Sequence, residues 1–278
     1  MSFSFIQITD HHLGESEIDF PYGYPSIRTF RLVMRHIAEN VLGDADFIVT
    51  TGDIVNMPSD KAYQFLRRLL NITENAPSPG PYAVTLDGLQ EFPMYFLPGN
   101  HDDRKTFIRN LFPYSPNLSW MNFAFEHKGI QFICLDWGAE DRAVVHPEML
   151  LFLSEALGSE KPCILLMHHN VVPLGTEWLD HFIAEDVGRF TSILDGKNIL
   201  GIFCGHLHSS YERSLNGIPV FGLRSTAFQF KWDGKPVLTI SSPHYRVVTI
   251  NDGALSTEVV EVPLPDEIVK LAGEMFQK

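Results

Sequence analysis

The sequence predicts an α/β protein: a four-layer α/β/β/α sandwich, with two mixed β-sheets packed face to face and flanking helices. Two observations carry this. Up to about residue 111, short apolar runs alternate with helix-period segments, as in a largely parallel sheet covered by helices. After Trp120 hairpins appear among the strands, which supplies the material for a second sheet.

The elements follow in order. Residues 3–9 read as a strand. Ile27, Phe30, Val33, Met34, Ile37 and Val41 recur every three to four positions, marking a helix that starts near Ser26 and stops at Gly43. Residues 47–50 form the next strand, and Ala62, Phe65, Leu66 and Leu69 mark the next helix. A strand at 94–97 and a short helix at 104–111 complete this half. Residues 123–126 and 131–135 flank His127-Lys128-Gly129 as a hairpin, and 147–157 and 185–194 read as helices. Buried strands fall at 163–167 and 200–204. Asn216-Gly217 and Asn251-Asp252-Gly253 are strong turn signals, so 211–262 reads as C-terminal β-hairpins, followed by a helix at 265–276.

No internal repeat or low-complexity linker interrupts residues 1–278, which predicts a single domain. The stretch 71–92 breaks the rhythm with Pro, Gly and Asn, and its length predicts a lid or rim beside the site. Tyr82, Leu86, Leu89 and Phe92 would anchor it.

Five short blocks stand where a strand gives way to a loop: Asp10-His11-His12, Gly52-Asp53, Gly99-Asn100-His101-Asp102, His168-His169 and Gly205-His206-Leu207-His208. Each alone is a common dipeptide or an isolated histidine. Together they offer Asp10, Asp53 and Asn100 as oxygen ligands and His12, His168, His206 and His208 as imidazoles. With one carboxylate bridging, that set suffices for two adjacent ions. In an extended strand residues two apart share a face, so Asp10 and His12 reach one ion while His11 points away. A mixed nitrogen and oxygen set without thiolate suits Fe, Mn, Zn or Co, with the identity left open.

Composition bounds the partners. Hydrophobic residues make up 45% and charged ones 20% of the chain, as in an ordinary globular protein. The 34 acidic and 21 basic residues give a formal charge of −13, which repels polyanions and argues against a nucleic-acid polymer as ligand. Cys134, Cys163 and Cys204 each sit in an apolar run and read as reduced core thiols. No signal-peptide pattern precedes the first strand and no run approaches a membrane span, so a cytoplasmic protein without membrane contact is expected. A homo-oligomer is left open. The phenylalanines read as core packing, and His36 and His127 as solvated.

With its five blocks in this order, the sequence resembles the calcineurin-like metallophosphoesterases, whose signature is D-x-H, G-D, G-N-H-D/E, H and G-H-x-H. The resemblance spans residues 5 to about 230. The runs MHHNVVPLGTEWLD and NGIPVFGLRSTAFQF are similar to the class III cyclic-nucleotide phosphodiesterase and glycerophosphodiesterase branch. That branch usually follows the His-His pair with Pro-Pro, and Asn170-Val171-Val172-Pro173 departs from it.

The resemblance implies one metal held by Asp10, His12, Asp53 and His208. It implies a second held by Asp53, Asn100, His168 and His206, with Asp53 bridging and His169 a neighbour of the ligand. It implies hydrolysis of a small phosphodiester, a 3′,5′-cyclic nucleotide or a glycerophosphodiester, by a metal-activated hydroxide. His101 would protonate the leaving oxygen or bind a phosphoryl oxygen. Asp102 would orient that imidazole or serve as the acidic residue at the start of the 104–111 helix. Asn100, His101 and Arg104 are the expected substrate contacts. A phosphomonoesterase or nucleotide pyrophosphatase with the same site is the alternative, favoured if Arg104, Lys105 and Arg224 bring extra positive charge to it. A non-catalytic scaffold of the same fold would normally lack ligands, and none is missing.

Overall fold

The computed structural model describes residues 2–76, 79–85, 90–115 and 117–276. Strands β1 (Ser2–Ile8), β2 (Phe47–Thr51), β3 (Tyr82–Val84) and β4 (Phe92–Leu97) belong to a first sheet, with helices α1 (Ser26–Asn40), α2 (Asp60–Leu69) and α3 (Arg104–Leu111) between or after them. A second sheet begins with β5 (Phe123–His127) and β6 (Ile130–Leu135) and continues through α4 (Pro147–Ala156), β7 (Cys163–Met167), the short α5 (Glu177–Asp180), α6 (Val187–Leu194) and β8 (Ile199–Cys204). Strands β9 (Tyr211–Leu215) and β10 (Ile218–Gly222) finish that sheet. The chain ends with β11 (Gln229–Trp232), β12 (Pro236–Thr239), β13 (His244–Asn251), β14 (Ala254–Glu261) and α7 (Asp266–Phe276).

The first sheet runs β14-β13-β1-β2-β4-β3 and the second β5-β6-β7-β8-β10-β9. In each, a parallel core (β1, β2 and β4; β6, β7, β8 and β10) carries antiparallel edges, so both sheets are mixed. The predicted C-terminal hairpins form but do not stay together. The β9–β10 pair joins the second sheet, β13–β14 joins the first, and β11–β12 stands apart.

A layer of aromatic rings joins the sheets. Phe5 and Phe47 of the first pack edge-on against Phe132 of the second, with centroids 5.3 Å apart in each case, and Phe5 also meets Phe203. Helices α1, α2 and α3 bury their apolar stripes in this same core, while α4 and α6 close a second core on the far side of the second sheet. The result is the predicted four layers. All three cysteines are buried and free.

The described residues of the 71–92 segment lie away from the candidate site. Phe92 begins β4 and Asn100 follows its other end, so the return point is about 17 Å of strand from the ligand loops. Its β3 is the edge strand, pairing antiparallel with β4. Tyr82 and Phe92 are buried anchors, while Leu86 and Leu89 lie outside the described residues. Among the described residues of the segment, none lines the cleft described below.

Candidate metal centre

All five blocks converge where the C-terminal ends of β1, β2 and β4 meet those of β7 and β8. Here the backbone differs from the extended reading. Strand β1 stops at Ile8, and Asp10 and His12 have φ of 54° and 44°, in the left-handed region. Asp53 (51°), His206 (72°) and His208 (46°) share it. Five of the seven candidate ligands are therefore presented by tight left-handed turns, and such strain clusters at functional sites. Gly99 and Gly205 let these turns close. A Cβ on Gly99 would collide with the Asp53 carboxylate, and one on Gly205 with Thr9 and Asp10.

The side chains assemble as two groups around Asp53. Its Oδ2 lies 3.6 Å from His12 Nε2, and its Oδ1 lies 3.3 Å from His168 Nε2. On one side His12 Nε2 and His208 Nε2 are 3.1 Å apart, with Asp10 Oδ1 3.4 Å from His208. On the other, His168 Nε2 is 3.0 Å from Asn100 Oδ1, and His206 joins Asp53 and His168 with ligand atoms within 4.8 Å of one another. His101 also comes within that range of His12 and Asp53.

The donor set fits metal binding in its tautomers as well as its spacing. His168 Nδ1 donates to Thr51 O at 2.7 Å, and His208 Nδ1 to Phe228 O at 2.7 Å, so each ring turns Nε2 inward. His206 Nε2 is buried with no hydrogen-bond partner among the described residues, an orphan that a cation would satisfy. Burial pushes the imidazoles of His12 and His206 down to about 3 and about 4, keeping both neutral as ligands must be. Burial alone would raise Asp10, but the His208 and His168 imidazoles outweigh it and bring it down to about 2. For His168, burial opposes the charge, yet the Asp53 and Asp10 carboxylates prevail and raise it to about 9.

Other expected site residues fall differently. His11 points away, its Nδ1 2.8 Å from Thr226 Oγ1 and its ring against Phe30. His169 packs its ring against that of His206, centroids 4.7 Å apart, but directs Nε2 to Glu140 O at 2.8 Å. His101 is held by the Asn56 carbonyl, which accepts from its Nδ1 at 2.8 Å.

Asp102 does not touch that ring, which corrects its expected role. Its carboxylate is fully buried and accepts from Gly99 N (2.8 Å), Ile54 N (3.1 Å) and the Tyr63 hydroxyl (2.7 Å), binding the loop after β2 to the loop after β4. The start of α3 is capped by Asp103, which accepts from Thr106 N at 2.9 Å.

Arg104 is corrected too. It is buried, paired through Nε and Nη2 with Asp136, and donates to the carbonyls of Gly99 (2.5 Å), Asp102 (2.7 Å) and Gly138 (2.6 Å). With its donors consumed by the protein, it braces the Asn100-His101 turn and is no phosphate contact. Arg224 faces His244 outside the cleft. His127 accompanies Asp46, 2.6 Å away, and packs edge-on against Phe3 and Phe47.

A cleft of about 210 Å³ opens over the cluster. Tyr22, Trp178, Phe182, Phe228 and Phe230 supply its aromatic wall, and Phe228 packs directly on the rings of His12 and His208. Among the described lining residues there is no lysine or arginine. Sequence reasoning assigned the phenylalanines to the core and missed this wall. The nearest signal was Phe228-Gln229-Phe230, alternating rings shortly after the last ligand block.

The family model for calcineurin-like phosphoesterases matches residues 3–210. The chain belongs to that family. Within the calcineurin-like phosphoesterases it is similar to a 3′,5′-cyclic adenosine monophosphate phosphodiesterase of Escherichia coli, at 27% identity over 265 residues, covering 91% of this chain and 88% of the relative. It is also similar to a glycerophosphodiester phosphodiesterase of Enterobacter lignolyticus, at 26% identity, covering 71% and 69% respectively. The fold agrees with that of a dimetal phosphatase from Danio rerio, with a TM-score of 0.58 at 12% identity over 94% of this chain and 99% of that one. No described helix is long and apolar enough to cross a membrane.

Proposed function

We propose that the protein is a phosphodiesterase that uses two divalent ions to hydrolyse a small phosphodiester, a 3′,5′-cyclic nucleotide or a glycerophosphodiester. The observation that carries this is Asp53, whose two oxygens face different histidine groups, the arrangement a bridging carboxylate needs. Asp10, His12, Asp53 and His208 would hold one ion, and Asp53, Asn100, His168 and His206 the other. Their nitrogen and oxygen donors suit Fe, Mn, Zn or Co. Ions held there supply Lewis-acid stabilisation of the phosphoryl charge and lower the pKa of water at the site.

The chain itself does the rest. His101, with Nδ1 engaged by the Asn56 carbonyl, leaves Nε2 free to carry a proton to the leaving oxygen. The aromatic wall shields the reaction from bulk water and offers ring faces to the leaving group. A cleft with no lysine or arginine among its described lining residues favours a diester, with its single negative charge, over a monoester or pyrophosphate. Relatives acting on cyclic nucleotides and on glycerophosphodiesters support both substrate classes. The three free buried thiols support a reducing, cytoplasmic setting.

A substrate panel on protein loaded separately with Mn, Fe, Co and Zn tests this. Cyclic AMP, glycerophosphocholine, bis- and mono-p-nitrophenyl phosphate and ADP-ribose are compared by kcat/KM. The diesters should lead. A monoester or ADP-ribose leading under every metal would refute the reading.

A further inference from the structure

Asn100 faces a difficulty that the other candidate ligands do not. A carboxamide carries an oxygen and an NH2 at equal reach, and only the oxygen can serve a cation. Something must therefore decide which way the amide turns.

In the structure Asn100 Oδ1 faces His168 Nε2, and Asn100 Nδ2 donates to Asp141 Oδ1 at 3.0 Å. An ionised carboxylate only accepts, so it engages the NH2 and leaves the oxygen pointing inward. Asp141 is exposed, but the loop presenting it is tied down on both sides. Arg104 donates to Gly138 O (2.6 Å), His169 to Glu140 O (2.8 Å), Arg142 Nε to Ile183 O (3.1 Å), and Glu185 N to Ala143 O (2.7 Å). Arg104 also grips the carbonyls of Gly99 and Asp102, so one guanidinium sets both the turn that carries Asn100 and the loop that carries Asp141. The hydrogen bond thus joins two preorganised backbones.

We infer that Asp141 is a positioning residue that fixes the Asn100 carboxamide with its oxygen toward the ligand cluster. This assignment rests on the two-ion reading above. Nothing in the five sequence blocks contains Asp141, and its effect reaches the chemistry only through Asn100.

The test is calorimetric titration of the metal-free protein with Mn²⁺, comparing wild type, Asp141→Ala and Asp141→Asn. Wild type should show two binding steps. Asp141→Ala should weaken one step by about ten- to a hundredfold, as loss of a ligand's supporting partner does, and spare the other. Asp141→Asn keeps an acceptor oxygen without the charge, and should restore most of the affinity.

Two wild-type steps left intact in Asp141→Ala would overturn this assignment alone, reducing Asp141 to a wall of the cleft. So would equal weakening of both steps, or an Asp141→Asn variant as weak as the alanine, because charge and not orientation would then be the cause. A single step in the wild type would overturn the two-ion reading and this assignment with it.

Discussion

The two sheets do not bring the same chemistry to their seam. The first delivers all the candidate oxygen ligands, Asp10, Asp53 and Asn100, with one imidazole, His12. The second delivers imidazoles only: His168 after β7, then His206 and His208 after β8. Carboxylate oxygen is concentrated on one side and imidazole nitrogen on the other. Neither sheet alone offers both complete groups, so the candidate centre exists only when the two are packed together. Cation binding should then stabilise the packing itself, since a ligand that binds only the folded state adds to its stability.

Removing Asp53 is the sharpest way to break this comparison, because it stands in both groups. Asp53→Ala should lose both ions and bring turnover to background. His12→Ala and His168→Ala, one from each sheet, should each lose a single ion. Metal analysis after dialysis checks all three, and an Asp53→Ala protein that kept an ion as tightly as the histidine variants would show that the groups do not share it.

A smaller effect is expected at His101, which borders both groups without completing either. His101→Ala should keep its metal content and lose about a hundredfold to ten-thousandfold in kcat, the usual range for general acid–base catalysis. The loss should shrink for p-nitrophenyl esters, whose leaving group needs no proton. Equal losses for good and poor leaving groups would instead assign the ring to phosphoryl binding.

The smallest effect belongs to 71–92, whose described strand β3 and return residue Phe92 stand at the other end of the first sheet from the candidate ligands. Shortening its return to β4 should leave metal content and the preference between cyclic AMP and glycerophosphocholine unchanged. A shift in that preference would restore the rim that the sequence suggested.

The cluster of candidate ligands was readable because each block pairs a side chain able to coordinate with a strand end. The layers were readable because the hydrophobic period changes from helix to strand at nearly every boundary. What could not be read is what depends on distant backbone. Asp102 and Asp103 are equivalent in sequence, and only the turn decides that one gathers amides from two loops while the other caps α3. Arg104 looked like an anion receptor until Asp136, just past the end of β6, claimed it. The aromatic wall joins Tyr22, Trp178 and Phe228 across most of the chain, a proximity no local pattern encodes.

The left-handed turns carry a consequence for how this protein can change. An L residue in that conformation costs roughly 1–2 kcal/mol relative to glycine, less for the short aspartates, and Asp10, His12, Asp53, His206 and His208 all adopt it. Mutations drawn only by folding would drift there toward glycine, and each would erase a candidate ligand. Thermal robustness and chemistry thus compete for the same five positions. A lineage that lost its substrate should show the decay first at these turns, while the aromatic layer between the sheets persists.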